Sequence, residues 1–146
     1  MPRIERTVDV VWEGNVARGS GTITAGTGAF SALPFSLPTR IGNAEGRTSP
    51  DELLAAAHAG CLTMSLASEL TQAGTPPTRL DVTCRVVMDE VEGEGHQIVG
   101  SQVTLRVDAE GVDDAALAGA IERADAGCPF STLLRKAGVE VTISRA

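Results

Sequence analysis

The chain has 146 residues, 42% of them hydrophobic, enough to form one packed core without metal or disulfide staples, so a single domain over residues 1–146 is expected. A formal net charge of -7 argues against nucleic acid or an anionic membrane as partner, since both demand clustered Lys and Arg. Aromatic residues make up 3%, too few for a platform on which bases or sugars stack. A neutral or apolar small molecule is the expected partner.

The N-terminal MPRIERTVDVVWEG lacks the apolar stretch of a signal peptide. No run of roughly 18 apolar residues suggests a membrane span, and a cytoplasmic location is expected. Val8, Val10 and Trp12, then Val16 to Thr24 after the turn-like Glu13-Gly14-Asn15, predict two strands joined by a hairpin. Ala25 to Thr48 is rich in Gly, Pro and Ser without a sustained period, which suggests a third short strand or a long loop near Phe30 to Phe35.

Ser49-Pro50-Asp51-Glu52 is the clearest local signal: a Ser N-cap, Pro at the first helical position, and a Glu placed to close a capping box. The helix is expected to run to Gly74, with Leu54, Ala57, Cys61, Met64 and Ser68 on one face. With few charges in its middle, it should be buried on most sides, in the centre of a domain or a dimer. Leu80, Val82, Cys84, Val86 and Met88 alternate as in a half-buried strand. After the turn at Asp89 to Gly95, Ile98, Val103, Leu105 and Val107 predict its antiparallel partner. Asp113 or Asp114 caps a further helix ended by Gly127, Cys128-Pro129 opens a short one through Lys136, and Val139, Val141 and Ile143 form a last strand.

Strands, long helix, strands, helices and strand without repeated βαβ units predict an α+β fold with an antiparallel sheet. No phosphate-binding glycine loop and no G-x-S-x-G nucleophile motif is present, which removes common nucleotide-binding and hydrolase readings.

The three cysteines therefore carry the functional question. Cys128, after Gly127 and before Pro129, sits at a helix N-terminus, where free N–H groups and the macrodipole favour a thiolate. Packing at a helix start is the alternative. Cys61, mid-helix on an apolar stripe, looks structural unless a cation or hydrogen-bond donor reaches it. Cys84, inside its strand stripe, is expected to pack. His58 and Cys61 are spaced i, i+3, but no second Cys or His pair stands at metal-binding spacing, so no metal site is expected.

Thr48 to Met64, TSPDELLAAAHAGCLTM, together with Ala126 to Leu134, AGCPFSTLL, resembles the OsmC/Ohr peroxidases; Trp12 to Ile23, WEGNVARGSGTI, also resembles the start of the OsmC branch. The resemblance implies an intertwined homodimer, with antiparallel sheets packed around long central helices and active sites at the subunit interface. It implies a thiol-dependent reductase of organic hydroperoxides in which Cys61 is peroxidatic and Cys128 resolving. Arg40, in Thr39-Arg40, matches the family's cation, with Arg47 an alternative of the same charge. The acid after the helix-starting Pro is usually Glu in the family and is Asp51 here; Asp51 is expected to hold Arg40, with Glu52 left to the capping box.

The cycle so implied passes through a Cys61 sulfenic acid and a Cys61–Cys128 disulfide that an external dithiol reduces, with no cofactor. Phe35, Leu53, Leu54 and Phe130 are candidates for an apolar pocket wall that favours organic hydroperoxides over hydrogen peroxide. A redox sensor using the same cysteines and a non-enzymatic binder of an apolar ligand are the rival readings.

Overall fold

The computed structural model describes residues 2–146, in two compact units, one ending at Pro50 and the other spanning Asp51–Ala146. The first is a three-stranded antiparallel sheet, β1 (Val8–Glu13), β2 (Ser20–Ala25) and β3 (Leu33–Phe35) in that order, followed by the short helix α1 (Leu37–Ile41). Gly21 pairs with Trp12 on one side and Phe35 on the other. A Cβ there would stand 2.5 Å from the Phe35 ring and 2.9 Å from the Trp12 ring. The missing side chain is what lets the two rings meet, with centroids 5.7 Å apart and a tilt of 51°. β1 is exposed along its length, Val8, Val10 and Val11 each by more than half.

Helix α1 was not expected. Ser36 caps it, its hydroxyl accepting from the Thr39 N–H, and Pro38 stands in its first turn. Five residues are too few for a periodic signal to emerge from the Gly- and Pro-rich stretch around them.

The long helix α2 (Pro50–Gln72) begins at the predicted Pro, with Asp51 and Glu52 in its first turn, where carboxylates complement the macrodipole. It ends before Gly74, whose φ of +79° lets the Thr75 N–H turn back to the Leu70 carbonyl. Its buried stripe is His58, Leu62, Leu66 and Leu70. The expected face is therefore displaced: Met64 is 70% exposed and Cys61 only half-buried. The helix is apolar almost all round, so its period fits several faces, and the bulk of the leucines decides which one packs.

β4 (Pro77–Val91) and β5 (Gly95–Ala109) form a long antiparallel hairpin whose turn contains Gly93 at φ +79°. Then come α3 (Asp114–Gly127), capped by Asp113, whose carboxylate accepts from the Ala116 N–H at 2.7 Å, and α4 (Pro129–Lys136). β6 (Glu140–Arg145) pairs with β5 in parallel. The expectation of purely antiparallel sheets is thus corrected, because this second sheet is mixed. The two helices between β5 and β6 make the long crossover that a parallel return requires.

Leu62, Leu66 and Leu70 join Val103 and Leu105 of β5 and Leu117, Ala120 and Ala124 of α3 in one core. By length and a mean hydropathy of 1.3, α2 is long and apolar enough to cross a membrane, a property that the core helix of a folded domain shares. Leu66→Ala should lower the unfolding free energy by about 2–5 kcal/mol, as buried Leu truncations do, whereas Met64→Ala should cost the isolated chain under about 0.5 kcal/mol, as exposed sites do. Chemical denaturation of both variants checks the assignment of the face.

Candidate active site

Cys61 stands on α2, and Cys128 both follows the last residue of α3 and is the N-cap of α4, with Pro129 in the first turn. Cys128 is fully buried. The structure brings these two predicted thiols into contact: burial pushes the Cys61 thiol up, and the hydrogen bond and charge of Cys128 push it further in the same direction. Opposing them are the backbone amide of Phe130 and the hydroxyl of Ser65. The Phe130 N–H is one of the unpaired donors in the first turn of α4, so the helix terminus that the sequence assigns to Cys128 serves the sulfur of Cys61. All three cysteines are free thiols.

Beside this pair lies a buried polar cluster. His58, fully buried, bonds through Nδ1 to the Ser101 hydroxyl of β5 at 2.6 Å and through Nε2 to the Ser131 hydroxyl of α4 at 2.8 Å. Both serines are fully buried too. Cys84 Sγ is 3.3 Å from Ser101 Oγ and 3.9 Å from His58 Nδ1, so the third cysteine edges the cluster as well as the core. Burial lowers the His58 pKa; the Asp125 carboxylate works against that and the Arg135 guanidinium with it. Asp125 of α3 and Arg135 of α4 form an ion pair at 2.7 Å, leaving Asp125 Oδ1 buried without a hydrogen-bond partner.

Of the other predicted site residues, Phe130 is half-buried against the core. Leu53 and Leu54 are half-buried in the first turns of α2. Asp51 opens the second unit. Arg40, in the last turn of α1, lines a cleft of about 140 Å³ in the first unit with Phe35, Trp12, Val16, Leu37 and Pro50. Among the described residues no group of three or more His, Cys, Asp or Glu side chains is arranged to hold a metal.

Sequence reasoning missed Ser65, Ser101, Ser131, Asp125 and Arg135. Ser101 carried a signal, being a polar residue in register with the inward-facing Val103 and Leu105; so did Ser131, one helical turn past Cys128.

Two thiols in contact on an α+β frame, one at a helix N-terminus and one capping that helix, define a thiol redox protein. The chain belongs to the OsmC-like protein family, whose model matches residues 42–144. It is 37% identical over 132 residues to the peroxiredoxin OsmC of Escherichia coli K12, covering 90% of this chain and 89% of that one. Its fold is similar to that of the organic hydroperoxide resistance protein OsmC of Legionella pneumophila (TM-score 0.73, 20% identity, 99% of both chains). An OsmC-like protein of unknown function from Vibrio cholerae is similar in fold as well (TM-score 0.81, 14% identity, 99% and 100% covered).

The neutral state of His58 has a consequence for stability. Its native pKa lies below the ordinary value of 6.5. As pH falls through about 6.5, the unfolded chain therefore takes up a proton that the native protein refuses, and stability declines until the lower native pKa is reached. Above that window the contribution is complete. Denaturation midpoints between about pH 7.5 and 5 should fall in the wild type with a steeper slope than in His58→Gln, which has no proton to gain.

Proposed function

We propose that Cys61 and Cys128 form the two-thiol centre of a peroxidase that reduces organic hydroperoxides, and that the contact between their sulfurs carries this reading. The Cys61 thiolate attacks a peroxide oxygen; the O–O bond breaks, the alkoxide leaves with a proton as an alcohol, and Cys61 becomes a sulfenic acid. The Cys128 thiol then displaces the sulfenic oxygen as water and forms the disulfide. A dithiol returns both cysteines to thiols and leaves oxidised, so the cycle needs no cofactor.

Attack requires an anion at a sulfur whose burial opposes charge. Phe130 N–H and Ser65 assist, and Arg40, held by Asp51, is our candidate for the cation that completes the stabilisation. A guanidinium also presents donors that orient a peroxide oxygen. Phe35, Leu53, Leu54 and Phe130 are the proposed apolar wall; each square ångström of apolar surface that an organic substituent buries contributes about 25 cal/mol, which hydrogen peroxide does not gain.

A homodimer, with residues 1–146 as one functional domain per subunit, is part of the same reading. Only 22% of the most apolar window of α2 is buried within the chain, and the exposed valines of β1 add to that uncovered surface. A second copy is the occupant the family resemblance suggests. The reducing cytoplasm, which keeps thiols available, is the proposed location.

Consumption of tert-butyl hydroperoxide with a dithiol tests the proposal. Wild type and Cys84→Ser should turn over, Cys61→Ser should be inactive, and Cys128→Ser should stop after forming the sulfenic acid. Arg40→Ala should slow the first step about tenfold or more, the cost of about 1.4 kcal/mol of lost thiolate stabilisation. Equal rates in all the cysteine variants would overturn the peroxidase reading, and inactivity in every one of them, wild type included, would do the same. A Cys61–Cys128 disulfide formed without turnover would leave a redox sensor.

A further inference from the structure

We infer that His58 and Ser131 are positioning residues that hold α4 against α2 at the spacing Cys128 needs to capture the Cys61 sulfenic acid. The inference rests on the peroxidase reading and assigns a task to side chains that the cycle leaves unused.

The placement of the pair is what points to this role. His58 precedes Cys61 by three residues on α2, about one helical turn, and Ser131 follows Cys128 by three residues on α4. The 2.8 Å bond between Nε2 and the Ser131 hydroxyl thus joins the two cysteine-bearing helices one turn from each sulfur. The ring cannot swivel freely, because its other nitrogen is bonded at 2.6 Å to Ser101 in the middle strand of the second sheet. Farther along α4, the Arg135–Asp125 ion pair at 2.7 Å fastens the helix to α3. Both ends of α4 are therefore tied down, and the end carrying Cys128 is tied to α2 through His58.

The chemistry of the second step makes such a tie consequential. Condensation forms one S–S bond and breaks one S–O bond, the Cys128 proton leaving with the sulfenic oxygen as water. A disulfide has Cβ atoms about 3.5–4.5 Å apart and a restricted dihedral, so small shifts of a helix take the thiol out of reach. The first step, attack on a freely diffusing hydroperoxide, draws on α4 only through the Phe130 N–H, one assisting donor beside Ser65, whereas the second step needs the Cys128 sulfur itself within bonding reach. A histidine suits the task because a neutral imidazole offers one donor and one acceptor on opposite sides of a rigid ring, and both are satisfied by hydroxyls that can play either part. Full burial of His58, Ser101 and Ser131 keeps water from competing for these bonds.

The test separates the two steps in rapid-quench experiments on the full chain, with cumene hydroperoxide as oxidant. Dimedone-reactive sulfenic acid reports the first step, and its conversion to the Cys61–Cys128 disulfide reports the second. Ser131→Ala should slow the conversion about tenfold, the equivalent of one lost hydrogen bond of ~1.4 kcal/mol, while sulfenic acid forms within about twofold of the wild-type rate. His58→Leu should do the same, and His58→Gln, which keeps a donor and an acceptor, should recover most of the lost rate. A general loss of stability would not slow one step and spare the other, nor be relieved by Gln. Ser131→Ala, the smallest change, decides the matter if His58→Leu does not fold.

Conversion at the wild-type rate in Ser131→Ala, or equal slowing of both steps, overturns the inference while leaving the peroxidase reading intact. A wild type that forms no sulfenic acid overturns both.

Discussion

Burial of the Cys61 sulfur is the constraint on which the rest of the site turns. Even a half-buried thiol is disfavoured as an anion, and an adjacent Cys128 thiol adds to that penalty. The same neighbour is what a two-thiol cycle requires. The free amide of Phe130 and Ser65 oppose that rise without cancelling it, and the proposed Arg40 cation would add the full charge that neutral donors lack.

The second unit is arranged around that contact. The leucines of α2 and the inward residues of β5 anchor the helix in the core, and Cys61 packs against the edge of the same cluster. Cys128 closes α3 and opens α4, so a single residue joins two helices and its sulfur stays at the junction. His58, Ser101 and Ser131 form a polar seam through otherwise apolar packing. Every ring nitrogen there has a partner, and the low dielectric that would penalise an unpaired group strengthens these bonds. The orphaned Oδ1 of Asp125, next to the Arg135 ion pair, is the exception in this neighbourhood.

The elements of this fold were legible wherever local chemistry was strong. Ser49-Pro50-Asp51-Glu52 marked the start of α2, Asp113 that of α3, and Cys128-Pro129 that of α4, because caps and prolines act within a few residues. The strict alternation from Leu80 to Met88 likewise marked β4. Tertiary information was not legible. The alanine-rich pattern of α2 could not distinguish the Leu62 face from the Met64 face, and the parallel return of β6 depends on the path of a crossover rather than on the residues of the strand.

Within the site, local reasoning ranked Cys128 above Cys61, because it could see one helix terminus and not the sulfur that approaches it from another helix. Resemblance to the family reversed that order; the first turn of α4 does reach Cys61 through the Phe130 N–H, although burial and Cys128 outweigh it and leave the thiol pKa raised. The serines that hold His58 were invisible for the same reason: Ser101 and Ser131 are separated from it by 43 and 73 residues. A serine is unremarkable in sequence until its partner is known.

Mapping the oxidised cysteines tests the central claim most directly. Fully reduced protein would be treated with a stoichiometric amount of cumene hydroperoxide, remaining thiols alkylated, and the digested peptides identified by mass spectrometry. The account predicts a peptide linked through Cys61 and Cys128, with Cys84 recovered as an alkylated thiol. Oxidation centred on Cys84, or Cys61 and Cys128 both recovered as thiols, would contradict it.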